Sequence, residues 1–181
     1  MLLIVAVLVG GLAAVRLPAA HPGRSASQYL VAALVTLVAF GLCAVAHELA
    51  HVVTRGELAG AAAGPLVSLG LGGLLGVTTV VLTVTGAGGL SVSVTAYVGL
   101  ANLALAAVTL LPGESSDGGR MLRAWIWRTT GDARRASRGA TRAGHAIGYA
   151  FLLGGVVSLV GGAAVVGIWL ALTGWFVAAQ L

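Results

Sequence analysis

Residues 29–53 read YLVAALVTLVAFGLCAVAHELAHVV. The stretch is almost wholly apolar except for His47, Glu48 and His51. It exceeds the roughly 20 residues a helix needs to cross a bilayer. Ionisable groups at membrane depth are costly and normally face a partner or a cavity, so three within five residues need a common cause. HExxH supplies one. On a helix, two His four residues apart differ by about 40° in direction and about 6 Å in rise, so both imidazoles can reach one ion. Glu48 points roughly 100° away from His47, near the ion but outside a ligand position, as a catalytic base requires. In soluble helices the motif arises by chance; here it interrupts a membrane span.

The rest of the chain has the same character. Of 181 residues, 59% are hydrophobic and 8% charged, against about 25% charged in soluble domains. Apolar runs near 2–19, 28–53, 60–85, 90–111, 145–160 and 162–180 predict an all-α, multi-pass membrane protein of about six transmembrane helices, organised as one membrane-embedded domain over 1–181. Arg16 interrupts the first run, and no basic stretch precedes it, so a retained span is expected rather than a cleaved signal peptide. Only Gly161 and Gly162 divide the last two runs, which leaves open a tight hairpin or two shorter, tilted helices. The 28 glycines suit helices that approach closely in lipid, and Gly72 and Gly76 form one GxxxG pair.

The net charge of +5 does not point to nucleic acid, because seven of the ten Arg fall between Arg120 and Arg142, beside apolar runs. Anionic lipid headgroups are the expected partner. The excess of Arg on cytoplasmic loops places segment 120–142 in the cytoplasm of a bacterial cell membrane, with the uncharged loop 86–89 outside. Trp125 and Trp127, interleaved with Arg, predict an interfacial helix there.

A catalytic zinc takes three protein ligands and keeps one position for water. The single cysteine, Cys43, excludes a multi-Cys module; it lies one turn before His47 and is read as a packing residue. Five acids exist: Glu48, Glu57, Glu114, Asp117 and Asp132. Glu57 follows the HExxH span too closely to fold back, and Asp132 lies among Arg. Glu114 and Asp117 remain, both just after a break at Pro112-Gly113 that lets irregular backbone line a polar cavity.

Three ordered motifs, covering most of the sequence, resemble the site-2 protease family of intramembrane metalloproteases, in particular its compact bacterial members. They are His47-Glu48-Leu49-Ala50-His51, Ala63-Gly64-Pro65-Leu66 and Asp117-Gly118-Gly119-Arg120; the end, from Gly167 to Phe176, is also similar. The resemblance implies a metal site between the HExxH helix and a broken helix bearing the Asp-Gly-Gly motif. His47, His51 and Asp117 would then hold Zn2+ with Glu48 as base, and the substrate would be a transmembrane segment. Relatives often release a tethered regulator such as an anti-sigma factor. With neutral His, the zinc, Asp117 and Glu48 charges sum to zero, which avoids most of the cost of burying charge.

Departures from the family pattern are expected to matter. Thr109 stands where the family carries an Asn that holds the substrate backbone or oxyanion, and Asn102, two turns earlier, is the alternative donor or an interhelical hydrogen-bonding group. Ser115 and Ser116 replace a Pro and a Leu. Only Val52 to Ala62 separates HExxH from AGPL, where relatives place membrane-embedded strands, and the N-terminal strand and the regulatory domains of relatives are not recognised. The expected function is an intramembrane zinc endopeptidase. The alternative is a zinc-binding pseudoprotease acting as a membrane binding module.

Overall fold

The structure, a computed structural model, describes residues 10–113 and 116–179. Much of the first expected span, and Glu114, lie outside the described residues. A π-helical turn, Leu12–Arg16, runs into α1 (Leu17–Ala20), followed by α2 (Ala26–Val53), α3 (Glu57–Val84), α4 (Leu90–Thr109), α5 (Asp117–Thr130), α6 (Ala133–Val160) and α7 (Ala164–Ala179). Among the described residues there is no strand, so the all-α expectation holds.

Local chemistry sets these boundaries. Ser25 and Gln28 form a reciprocal capping pair at the start of α2: the Ser25 amide donates to Gln28 Oε1 at 3.1 Å and the Gln28 amide to Ser25 Oγ at 3.3 Å. Gly56 (φ 92°) makes the left-handed turn into α3, a conformation that a side chain would strain. Asp132 caps α6 by accepting from the amides of Arg134 and Arg135.

Among the described residues four helices, α2, α3, α4 and α6, are long and apolar enough to cross a membrane. Valines on them such as Val38, Val80 and Val160 remain more than half exposed, a surface that suits lipid. The expected span at 162–180 is α7, whose 16 residues fall short of the roughly 20 that a perpendicular crossing takes. Between α6 and α7 the hairpin alternative holds, with Gly162 at φ 82° making the turn.

Segment 120–142, expected as one interfacial helix, is instead the greater part of α5 plus the first turns of α6. Gly131, left-handed at φ 69°, returns its amide to Trp127 O and ends α5. Asp132 then starts a new helix.

The described residues form two compact units, one within Met1–Glu48 and Leu66–Leu105 and the other within Leu49–Pro65 and Ala106–Leu181. In the first, Leu17, Tyr29, Ala32 and Ala33 form a small buried cluster. The Tyr29 hydroxyl donates to His21 O at 2.5 Å, and His21 Nε2 bonds Ser93 Oγ at 2.8 Å, tying the approach to α2 onto α4. Helices α3 and α4 touch at glycine: a Cβ on Gly72 would lie 2.7 Å from Leu103 and 3.1 Å from Gly99 O. The close contact therefore pairs Gly72 with Gly99 across two helices, while a Cβ on Gly76 would meet nothing within 4 Å.

In the second unit the α6–α7 hairpin packs through two glycine pairs at seven-residue spacing, Gly148 and Gly155 against Gly167 and Gly174. A Cβ on Gly155 would lie 2.7 Å from Ala171 N, and one on Gly174 would lie 2.6 Å from Gly148 O. Backbone contact at this range is how apolar helices associate where lipid removes the hydrophobic drive.

Candidate metal centre

His47 and His51 lie one turn apart near the end of α2, His47 buried and His51 half-buried. Each spends its Nδ1 on a partner from α3. His51 Nδ1 lies 2.7 Å from the Gly60 carbonyl oxygen. A carbonyl can only accept, so Nδ1 carries a proton and Nε2 is the nitrogen left facing Asp117. His47 Nδ1 lies 2.9 Å from Ser68 Oγ. This hydroxyl is fully buried, and it accepts the Nδ1 proton when Nε2 serves a metal. Such outer partners set the tautomer and orientation of a ligating imidazole.

Asp117 is the first residue of α5, and the loop before it is built for close approach. The Ser116 side chain accepts the amides of Gly113 (2.8 Å) and Gly119 (3.1 Å), and its hydroxyl lies 2.5 Å from Leu111 O. A Cβ on Gly118 would overlap the Leu110 carbonyl oxygen, and one on Gly119 the Gly113 carbonyl oxygen. Both positions therefore need glycine for steric reasons. Ser116, a departure from the family pattern, is thus the helix cap that positions Asp117.

Asp117 Oδ1 lies 3.3 Å from His51 Nε2 and 3.8 Å from Arg120 Nη1. One ligand atom from each of His47, His51 and Asp117 lies within 4.8 Å of the others. Ligands at about 2.0 to 2.2 Å from a tetrahedral ion stand roughly 3.3 to 3.6 Å apart, so the His51–Asp117 separation matches one edge of a zinc shell. The residues fit zinc, with two nitrogens and one carboxylate and no sulfur. Cys43 is half-exposed and outside this cluster.

Glu48 is exposed beside His47. Asn102 and Thr109 bond back to their own helix: Asn102 Nδ2 donates to Val98 O at 2.8 Å and Thr109 Oγ1 to Ala106 O at 3.3 Å. Asn102 is fully buried, and its Oδ1 has no partner among the described residues.

Ser68 and Gly60 were not singled out by the sequence reading. Their signal was present: Ser68 is an isolated polar residue in an apolar run, and the short connection after HExxH forces an antiparallel return in which 51 meets 60 and 47 meets 68. Ser68→Ala is expected to weaken zinc binding about 10- to 100-fold, measured by competition with a chelator, and Ser68→Thr to restore most of it. Equal affinity in the Ala variant would remove Ser68 from the metal centre.

The helical fold carries HExxH on a membrane-length helix and an Asp-Gly-Gly motif at a helix start, with His47, His51 and Asp117 close enough to hold a metal ion, the layout of a membrane-embedded metal centre. Two comparisons with known proteins agree. The fold matches the site-2 protease from Methanocaldococcus jannaschii with a TM-score of 0.55 over 82% of this chain and 77% of that one, at 24% identity. In sequence, the chain is 39% identical over 115 residues to the Mycobacterium tuberculosis protein named "Putative zinc metalloprotease Rip3". It is 34% identical over 120 residues to "Putative zinc metalloprotease sll0528" of Synechocystis. These matches take in 64% of this chain but only 29% and 30% of the relatives' lengths. No family profile matches the chain. The resemblance read from the three motifs thus holds in both homology and fold.

Proposed function

We propose that this chain is an intramembrane zinc endopeptidase that hydrolyses transmembrane segments of other membrane proteins. The observation that carries the reading is the convergence of His47, His51 and Asp117 beside the exposed Glu48, on a helix long enough to span a bilayer. His47, His51 and Asp117 would hold the zinc, which when bound would supply a Lewis acid and lower the pKa of water to about 7. Glu48 accepts the proton of the attacking water on its carboxylate and delivers it to the amide nitrogen that leaves. Ser68 and the Gly60 carbonyl fix the two imidazoles, and Gly118 and Gly119 let the Asp117 loop close. The site belongs to one membrane-embedded domain in a bacterial cell membrane, with the Arg-rich segment 120–142 on the cytoplasmic side. Its substrates are tethered proteins, an anti-sigma factor being one class. Asn102 and Thr109 contact the substrate once it displaces their present helix bonds.

The test uses the purified full chain in detergent or nanodiscs with a panel of single-span substrates. Cleavage inside the span is expected, lost with a zinc chelator and recovered on adding zinc. Stoichiometric zinc with no cleavage of any substrate would favour the pseudoprotease reading, toward which the self-bonded Thr109 leans.

A further inference from the structure

Where α5 gives way to α6, residues from both helices line an open cleft of about 740 Å³. Arg134, Arg135, Arg138 and Arg142 line it from α6, and Trp125 and Thr129 from α5. The two helices meet tightly here because residue 139 is glycine: a Cβ there would lie 2.7 Å from Ile126 Cδ1. Asp132 is the only acid lining the cleft among the described residues, and its Oδ1 is engaged by two backbone amides at 2.8 and 3.0 Å. The four Arg against one Asp leave the cleft at +3. None of these guanidinium groups makes an ion pair among the described residues. They repel one another along one helix, Arg134, Arg138 and Arg142 standing at successive four-residue steps.

Such a cleft asks for an anion, and its position in the chain says which kind. No charged side chain follows Arg142, and α6 continues from it as a membrane-length apolar helix. Trp125 beside it is 58% exposed. Arg and Trp together at the end of a span mark the headgroup level of a bilayer. We propose that this cleft binds the phosphodiester headgroup of a net-anionic phospholipid. The guanidinium forks take the phosphate oxygens, a geometry Arg meets better than Lys, and Trp125 lies against the glycerol region. The site shares no residue with the metal centre, so it stands whether or not the chain is a protease.

The test is native mass spectrometry of the purified full chain titrated with equal amounts of phosphatidylglycerol and phosphatidylcholine. The wild type is expected to retain phosphatidylglycerol in preference by about tenfold or more, since each basic group near a headgroup contributes about fivefold. Replacing Arg134, Arg138 and Arg142 together by Gln should bring the two lipids level. The corresponding Lys replacement should keep part of the preference, which separates charge from any folding defect. The proposal is overturned if the wild type holds both lipids equally, or if the Gln variant keeps the full preference. Complete displacement of the lipid by millimolar inorganic phosphate would assign the cleft to a soluble anion instead.

Discussion

Asp117→Ala is expected to strip the purified chain of zinc and of proteolysis together. Its Oδ1 faces His51 Nε2 at 3.3 Å, and without it two imidazoles are left to hold the ion, too few for tight binding. The loss of affinity should exceed the roughly 10- to 100-fold that removal of an outer partner causes. Folding should change little by comparison: an acid in the first turn of a helix is worth about 0.3 to 1 kcal/mol, and Ser116 still caps α5. Circular dichroism therefore separates metal loss from unfolding. Glu114→Ala, the rival carboxylate, is expected to leave zinc bound. The opposite pattern, zinc kept without Asp117 and lost without Glu114, would move the ligand.

The second large effect is loss of turnover with the metal in place. Glu48→Gln keeps the side chain's shape but removes the proton acceptor, and Glu48 is exposed, so packing is not disturbed. A positioned general base contributes about 10²- to 10⁴-fold, and cleavage should fall by that order while zinc stays at one per chain. Activity within about tenfold of wild type would place the base elsewhere.

The pairing of His47 with His51 was legible because helix periodicity is local, and the structure brings Asp117 within reach of both. An i, i+4 His pair on a span fixes its own geometry before any tertiary contact forms, and Asp117, one of two acids just after the Pro112-Gly113 break, stands with its Oδ1 3.3 Å from His51 Nε2. What was not legible depended on how helices return. The pairing of His47 with Ser68 and His51 with Gly60 follows from a three-residue turn at Thr54 to Gly56, where the resemblance had directed attention to missing strands.

The break at Gly131-Asp132 carried a readable signal, a C-terminal Gly followed by an N-cap Asp. The Arg-Trp composition of the whole segment obscured it. Ser116 was read as a departure from a pattern, yet a hydroxyl before Asp-Gly-Gly is also a helix cap. Local capping chemistry explains it better than comparison with relatives does. Thr109 was assigned by motif position and Asn102 by lying two turns earlier, and both side chains bond back to their own helix.

X-ray absorption at the zinc edge of the purified full chain tests the centre most directly. The expected result is one zinc per chain with nitrogen and oxygen neighbours only, at about 2.0 to 2.2 Å. A chain that takes up no stoichiometric zinc, or a sulfur neighbour at about 2.3 Å from Cys43, would contradict a centre built from His47, His51 and Asp117.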